Sequence, residues 1–263
     1  QTSYGDYKSR FSGRVIFPVI DYRGRTVGFG GRIINEFSKG AKYINSEETL
    51  FFNKRKILYA LNQAKNAITK QGSVLFMEGY MDVAIAHQYG FENAVATMGT
   101  ALTTDHVQKI KRFTGLVYLS MDQDKAGQAA IDRSYSILRE QGLKVYVVKY
   151  DAKDPAELLL NRGKEHFQEC IDNAIPIIEY KFEKTLAKHD AKKIENIPDI
   201  LDEVIPVLRM EPDEVIQKHY VISIAKQLNI DQELILAKIK KSRYNIRQNL
   251  FTSGKTKNKY QKA

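Results

Sequence analysis

Apolar residues recur along this chain in short blocks whose spacing differs from one part of the chain to another. Residues 14–20 and 26–34 are rich in β-branched and aromatic side chains and flank a polar turn around Gly24. Glycine supplies the positive φ of a tight turn, so this pattern predicts a β-hairpin. Residues 35–53 lack a period and predict an irregular polar loop, whereas the apolar spacing over 55–70 predicts a helix.

The middle of the chain alternates short apolar runs with helical patterns. The predicted strands are 73–77, 93–97, 116–120 and 143–149, and the helices that follow them are 80–89, 103–112, 125–140 and 155–162. Strands that alternate with helices of this length predict a parallel sheet with right-handed crossovers.

The strand pattern stops near residue 164. Helices are predicted near 164–190, 195–210, 212–228 and 231–243, and Pro176 is expected to kink or split the first of them. We therefore expect four parts: a partial N-terminal lobe with a basic hairpin (1–54), an α/β domain (55–163), a helical bundle (164–243) and a basic linker or tail (244–263).

The distribution of charge points to a polyanionic ligand. The net charge is +10, of which residues 1–55 carry +5 and residues 238–263 carry +9, so the rest of the chain is acidic at −4. Basic ends around an acidic centre suit a polyanion that is held beside a cation-binding pocket.

Cysteine and histidine usage argues against two other classes of site. The single cysteine, Cys170, excludes an internal disulfide and a Cys-rich zinc site. The five histidines lack metalloprotease spacing, so we interpret each as a surface or satisfied core residue.

No apolar run approaches the ~18 residues of a membrane span, and no secretory leader is visible, so a cytoplasmic location is expected.

Four acidic residues follow two of the predicted strands. Glu78 and Asp82 come after one apolar run, and Asp122 and Asp124 come after another. The carboxyl ends of parallel strands meet at one sheet edge, so these side chains are expected to converge. Crowded carboxylates resist ionisation unless a cation joins them, and oxygen ligands suit Mg²⁺ or Mn²⁺.

These motifs also resemble a known family. The sequences EGYMD (78–82) and DQDKAG (122–127), with the Asp-Pro pair at 154–155, resemble the Toprim domain. The stretch 10–32 and the sequence KYINS (42–46) narrow the resemblance to the catalytic core of bacterial DnaG-type primases. The resemblance covers about residues 4–165, and the helical region resembles the tail of the same core less specifically.

The resemblance implies a fold and an activity. The expected fold is α/β: a Toprim-type parallel sheet flanked by helices, preceded by the basic hairpin lobe and followed by the helical bundle. The expected activity is that of a DNA primase, a DNA-directed RNA polymerase that makes short RNA primers for DNA replication by two-metal nucleotidyl transfer.

Candidate site residues follow from the motifs and from phosphate chemistry, since arginine and lysine bind phosphate. The catalytic candidates are Glu78, Asp122 and Asp124; the metal-ligand candidates are Glu78, Asp82, Asp122, Asp124 and Asp154; the nucleotide- or DNA-binding candidates are Arg10, Arg14, Arg32, Asn35, Lys39, Lys42, Asn45 and Lys125. Family members often carry a further acid where this chain has Ala156, so Asp151 or Glu157 is a possible substitute.

The resemblance also implies cofactors and partners. Two or more Mg²⁺ or Mn²⁺ ions are expected, with no zinc in this part of the protein. The expected partners are a single-stranded DNA template, ribonucleoside triphosphates, an RNA–DNA hybrid, a replicative helicase that binds through a domain absent here, and regulatory guanine nucleotides; no membrane is expected. Family members begin with a zinc-binding domain and a longer N-terminal lobe, so the chain is interpreted as a fragment.

Three other readings stay open from the residues alone. Another Toprim enzyme, a nuclease or topoisomerase, has similar acids, although a topoisomerase needs a catalytic tyrosine on a further domain. A non-catalytic nucleic-acid-binding fragment is consistent with Ala156 and the short N-terminal lobe. A phosphoacceptor receiver domain also has paired acids at strand ends, but it needs a lone acceptor aspartate and a smaller chain.

Overall fold

A computed structural model describes residues 9–35 and 40–240. The chain divides into two compact units, residues 1–175 and 176–263. The first unit contains a three-stranded and a five-stranded sheet, and the described part of the second unit is largely helical.

The hairpin lobe is a small antiparallel sheet. β1 (Arg14–Ile20) pairs with β2 (Thr26–Ile33), as the apolar blocks predict, and β2 pairs with β3 (Tyr43–Asn45). The prediction of an irregular loop over 35–53 is wrong at β3. A strand of three residues is too short to show a period, and pairing with β2 stabilises it instead.

Asp21 fixes the hairpin turn. Its Oδ1 accepts hydrogen bonds from the backbone N–H of Arg23 and Arg25 at 2.9 and 3.0 Å, and its Oδ2 accepts two from the Arg25 guanidinium at 2.7 and 2.8 Å. Burial raises the pKa of Asp21, but the hydrogen bonds from Arg25 and Arg23 outweigh burial, and the net shift is downward. Gly24 has a φ of 90°, as the turn prediction requires.

The second sheet alternates with helices as predicted. Its elements are α1 (Leu61–Gln71), β4 (Val74–Met77), α2 (Tyr80–Gln88), β5 (Ala94–Ala96), α3 (Thr104–Ile110), β6 (Leu116–Leu119), α4 (Lys125–Glu140), β7 (Lys144–Val147), α5 (Pro155–Asp172) and β8 (Ile175–Pro176). The strand order is β5-β4-β6-β7-β8, and β4 is parallel to both β5 and β6. All four residues of β4 are buried, which explains its unbroken apolar sequence. The predicted α/β fold class is confirmed.

Two helix boundaries differ from the prediction. α1 begins at Leu61 and not near residue 55, because Tyr59 bridges to Ala96 of β5 and Ala60 has a left-handed φ of 63°. α5 continues to Asp172 rather than ending at 162, with a break at Gly163, whose φ is 80°.

The second unit consists of helices in its described part. They are α6 (Ile177–Lys188), a short 3₁₀ turn (Ile194–Asn196), α7 (Ile197–Arg209), α8 (Glu214–Leu228) and helical residues 232–240. α6 begins directly after Pro176, so the predicted split is confirmed. The basic tail predicted at 244–263 lies outside the described residues. No helix in residues 9–35 and 40–240 is long and apolar enough to cross a membrane.

Candidate active site

The two acidic motifs lie at the carboxyl ends of neighbouring strands. β4 and β6 pair in parallel with Phe76 opposite Leu119, so each motif begins a few residues later at the same sheet edge. Glu78 Oε1 accepts a hydrogen bond from the backbone N–H of Asp122 at 3.2 Å. The strands therefore bring Glu78 and the 122–124 segment into direct contact.

Three aspartates at this edge are held by hydrogen bonds to helix starts. Asp124 Oδ1 caps α4 through the N–H of Gly127 at 2.9 Å, and Asp154 Oδ1 caps α5 through the N–H of Glu157 at 2.8 Å. Asp82, in the first turn of α2, accepts the N–H of Gly79 at 3.1 Å through Oδ2. Each of these caps orients one carboxylate oxygen.

A backbone hydrogen bond joins the segments that carry Asp124 and Asp154. The N–H of Gln123 donates to the carbonyl oxygen of Lys153 at 2.9 Å. The loops after β6 and β7 are therefore fastened side by side. Glu157, one of the two suggested substitutes for the missing acid, accepts the N–H of Lys153 at 2.7 Å through Oε2.

The crowded carboxylates raise one another's pKa. Burial, followed by the charge of Asp122, raises the pKa of Glu78 to about 7. Burial and the charges of Asp122 and Asp154 raise the pKa of Asp82 to about 7, and burial with the charges of Asp154 and Asp124 raises the pKa of Asp122. Five acids from three loops thus share one electrostatic environment.

The chemistry of these side chains suits a divalent cation, whereas their arrangement alone does not define a metal site. The donors are carboxylate oxygens, which hard cations prefer, and their mutual repulsion is what such a cation would relieve. Within residues 9–35 and 40–240, however, no three or more His, Cys, Asp or Glu side chains are arranged so that they could hold a metal ion together. The predicted ligands therefore stay a prediction, with the aspartate caps fixing several of them in place.

The hairpin contributes positive charge beside these acids. Burial raises the pKa of Asp122, and the charge of Lys42, which precedes β3, opposes that rise together with Lys153 from the loop after β7. Burial also raises the pKa of Tyr43, on which the charges of Arg32 and of three of the aspartates act. The Arg32 guanidinium lies 5.9 Å from the centre of the Tyr43 ring.

A cavity of about 590 Å³ lies between the hairpin and the start of α2. Arg32, Lys42 and Met81 line it together with apolar residues of β1 and β2. Met81 directly precedes the buried Asp82 in α2, whereas Glu78 lines a different cavity.

The other basic candidates have different surroundings. Arg10 is exposed and paired with Glu47, and Arg14 Nη1 donates to the carbonyl oxygens of Gly31 and Lys42 at 3.2 and 3.3 Å. Asn35 and Lys125 are exposed, the latter in the first turn of α4. Lys39 lies outside the described residues.

Asn45 joins the two sheets of the first unit. Its Nδ2 donates to the carbonyl oxygen of Met98 at 3.1 Å, and its Oδ1 accepts a hydrogen bond from the Tyr80 hydroxyl. Both ends of the amide are engaged within the protein, so the predicted nucleotide contact would compete with these bonds.

Sequence reasoning missed Arg133 and Lys153. Arg133 on α4 lowers the pKa of Glu78, against the raising effects of burial and Asp122, and lines a cavity of about 260 Å³ with Glu78 and Thr100. Lys153 directly precedes Asp154 and opposes the rise in the pKa of Asp122. No local pattern marks Arg133, since nine residues of α-helix are two and a half turns and do not return to the face of Asp124.

Three family profiles match parts of the chain. The profile described as the DNA primase catalytic core, N-terminal domain, matches residues 1–65, and a Toprim-like profile matches residues 75–159. A profile described as the DnaB-helicase binding domain of primase matches residues 178–233. The expectation that helicase binding would need a domain absent from this chain is therefore wrong.

Individual relatives agree with the profiles. The DNA primase of Clostridium acetobutylicum is 40% identical over 243 residues, which cover 90% of this chain and 40% of that protein. The chain spans about two fifths of the length of the curated relatives it matches.

Solved structures share the fold. The zinc-binding and RNA polymerase domains of the Aquifex aeolicus primase match with a TM-score of 0.74 at 32% identity, covering 91% of this chain and 57% of that one. A DnaG primase catalytic domain bound to single-stranded DNA matches with a TM-score of 0.74 at 32% identity, covering 86% of this chain and 72% of that one.

Proposed function

Since this chain belongs to the DnaG-type primase family, we propose that it catalyses the DNA-templated synthesis of short RNA primers. One observation supports this most directly. Glu78 and Asp122 share a hydrogen bond at the ends of adjacent parallel strands, and the positive charge of Lys42, which precedes β3, opposes the rise in the pKa of Asp122 that burial causes. An acidic centre beside a basic path is what transfer of a nucleotide to a growing strand needs.

The acids are proposed to hold two or more Mg²⁺ or Mn²⁺ ions. Toprim-like domains are a divalent-metal-binding fold, and Glu78, Asp82, Asp122, Asp124 and Asp154 would supply the oxygen ligands. Bound there, the cations would supply positive charge that offsets the triphosphate and lowers the pKa of the attacking hydroxyl.

Glu78 has a proposed second role as proton acceptor. Its Oε1 is engaged by the backbone N–H of Asp122, so Oε2 is the atom that would accept the proton of the 3′-hydroxyl. The 3′-oxygen then bonds to the α-phosphorus, the bond from that phosphorus to the bridging oxygen breaks, and pyrophosphate leaves. The backbone contact holds the carboxylate still during this step.

The hairpin is proposed to hold the substrates. Arg32 and Lys42, which line the 590 Å³ cavity, would bind triphosphate or template phosphates. The Tyr43 ring, paired with Arg32, offers a face on which a base can stack. Regulatory guanine nucleotides would compete for the same triphosphate contacts.

The remaining partners follow from the same proposal. A single-stranded DNA template and an RNA–DNA hybrid are the expected nucleic acids, and ribonucleoside triphosphates are the expected substrates. Residues 178–233 would contact a replicative helicase, given the profile that matches them.

Asp124→Asn tests the proposal without disturbing the helix start. Asparagine can still cap α4 by accepting the N–H of Gly127, so the variant removes a charge and little else. We expect template-directed primer synthesis with Mg²⁺ or Mn²⁺ to fall by about 10²–10³-fold, a typical loss when a charged group that stabilises a transition state is removed. Calorimetric titration with Mn²⁺ should show weaker binding as well.

Asp213→Asn is the matched control. Asp213 caps α8 in the same way, through the N–H groups of Val215 and Ile216 at 2.9 and 3.1 Å, and asparagine would keep that cap. Synthesis and Mn²⁺ binding should be unchanged. Equal synthesis by Asp124→Asn and the unaltered chain would refute the proposed function.

A further inference from the structure

A second basic surface lies at the turn end of the hairpin, away from the candidate active site. Its side chains come from the β1–β2 turn, the loop before α1, and the end of α3 with the residues that follow. We call this set the turn-side surface: Tyr22, Arg23, Lys56, Lys109 and Arg112. Lys109 is half-buried and the other four are exposed.

Hydrogen bonds fix the loop of this surface onto α3. The consecutive carbonyl oxygens of Lys54, Arg55 and Lys56 accept bonds from His106 Nε2 at 2.9 Å, from Thr103 Oγ1 at 2.6 Å and from Lys109 Nζ, respectively. The lysine and arginine side chains of the loop therefore project from a backbone that is held at three successive residues.

The hairpin turn is tied to the same region. Lys65 Nζ of α1 donates to the carbonyl oxygen of Tyr22 at 3.5 Å. Arg23 stacks on Tyr22, with its guanidinium carbon 5.4 Å from the ring centre and its Nε donating to the hydroxyl at 2.8 Å. The turn thus presents an aromatic ring paired with a guanidinium group.

The positive charge of this surface is poorly compensated. Among the described residues, none of Arg23, Lys56 and Arg112 lies within ion-pair distance of a carboxylate. Burial lowers the pKa of Lys109, Asp105 opposes this, and the nearby cations Arg112 and Lys56 lower the pKa further. Cations held together against their repulsion favour binding of an anion with several charges.

The length of the hairpin sets the distance between the two basic regions. Arg14 and Arg32 lie at one end of the β1–β2 pair, and the turn lies at the other end. The seven residues of β1 separate the two ends. At about 3.3 Å per residue this is about 20 Å. A duplex rises 3.4 Å per base pair, so the same distance corresponds to about six base pairs.

We propose that the turn-side surface binds the phosphate backbone of a nucleic acid strand whose other end is held at the candidate active site. The proposal rests on the proposed function for the presence of that strand. Lysine and arginine recognise phosphate, and an exposed tyrosine offers a base a stacking face, so this set suits nucleic acid better than an acidic protein. Only a strand longer than the hairpin can reach both regions.

The test compares long and short ligands. Lys56→Ala with Arg112→Ala, in the full chain, should weaken binding of a DNA single strand of about 20 nucleotides by roughly tenfold, and reduce the salt dependence by about 1.4 in log–log slope for two phosphate contacts. A dinucleotide should bind as it does to the unaltered chain, because it cannot reach from the candidate active site to a surface about 20 Å away. Fluorescence anisotropy at several salt concentrations measures both, and an RNA–DNA hybrid of about 20 base pairs is a second long ligand.

Arg162→Ala with Lys164→Ala is the matched control. Both residues are exposed on α5, and the pair removes one arginine and one lysine as the test variant does. It should leave the binding of long and short strands unchanged. Arg23→Ala, from a different segment of the surface, should weaken only the long strand, by about threefold for one contact.

Each outcome decides the proposal. The proposal is overturned if the double variant binds long strands as tightly as the unaltered chain does, even if the variant no longer binds an acidic protein. It is also overturned if short and long strands lose affinity equally. If the unaltered chain makes no primer but the loss depends on strand length, the turn-side surface stands and the proposed polymerase function falls.

Discussion

At the residue scale, the acids of the candidate site combine a structural role with a proposed role in ion binding. Asp124 and Asp154 cap helices, and Glu78 accepts a backbone N–H, so each carboxylate is oriented by the fold before any ligand arrives. A cap uses one oxygen and leaves the other available. The same residue can therefore serve helix stability and ion binding, which is why neither role can be read from an isolated aspartate.

Gly127 shows how little room this arrangement leaves. A Cβ at this position would lie 2.0 Å from the carbonyl oxygen of Asp122 and 2.8 Å from Glu78 Oε1. In most helices alanine stabilises relative to glycine by up to about 1 kcal/mol. Here we expect Gly127→Ala to lower the free energy of unfolding by about 1–3 kcal/mol, because the backbone of Asp122 has to move.

The same substitution should also reduce primer synthesis. A displacement of about 1 Å between reacting groups can lower a rate on the order of a hundredfold, so a loss of that size is expected. Denaturant unfolding and a primer-synthesis assay check the two parts. Gly115→Ala is the control, since nothing lies within 4 Å of a Cβ there and Gly115 has no positive φ; similar behaviour of the two variants would contradict the steric argument.

At the scale of elements, the glycine run of β2 reflects packing. A Cβ on Gly30 would lie 2.6 Å from the Tyr80 ring, and one on Gly28 would lie 3.0 Å from Phe52. The run therefore lets two aromatic rings approach the hairpin backbone, which joins the lobe to α2 and the loop before α1. The pairing also shifts register here, since Val19 lies opposite Gly28 and Ile20 lies opposite Thr26, so an irregularity of the ladder marks the start of the run.

His106 holds another junction, between α3 and the loop at 54–56. The buried ring accepts the N–H of Thr103 at Nδ1 (3.2 Å), so Nε2 carries the proton and donates to the carbonyl oxygen of Lys54. Burial lowers the pKa of His106 from 6.5 to about 4. The neutral ring satisfies both partners, whereas a proton on Nδ1 would break one of these hydrogen bonds.

This shift predicts an acid-dependent loss of stability. The unfolded chain binds a proton at His106 more readily than the folded chain does. The stability that the neutral His106 ring contributes is therefore fully present above pH 6.5 and is lost as the pH falls toward 4. The loss is on the order of 3 kcal/mol, from about two and a half pKa units at 1.36 kcal/mol each. Denaturant unfolding across this range should show a steeper fall for the unaltered chain than for His106→Gln.

An exposed histidine provides the comparison for this slope. His219 lies exposed on α8, and His219→Gln should leave the pH dependence as it is in the unaltered chain. If His106→Gln shows the same dependence as the unaltered chain, another group is responsible for the acid sensitivity.

At the scale of the whole molecule, charge is separated along the sequence. The net charge of +10 combines basic ends with an acidic middle. In the first unit the hairpin faces the acidic sheet edge with one end and carries the turn-side surface at the other. Fields of this kind attract polyanions and weaken as salt is added.

Arg32→Ala and Lys42→Ala test this electrostatic view for the candidate active site. If each side chain contacts one phosphate, each substitution should lower the log–log salt slope of single-strand binding by about 0.7. Both variants should affect short and long strands alike, unlike variants of the turn-side surface. Lys144→Ala, at the exposed start of β7, should leave the slope unchanged; a flattened slope in that variant would point to general charge and not to contacts.

The sequence by itself determined the hairpin, the succession of strands and helices along the middle of the chain, and the position of two acidic motifs directly after strands. Periodicity and glycine placement are local properties, so they survive without knowledge of the fold. The tertiary structure decided the rest: β3, the late start of α1, the internal use of Asn45, and the approach of Arg133 to Glu78. Each depends on a partner distant in sequence, and no local pattern records which distant backbone or carboxylate a side chain will meet.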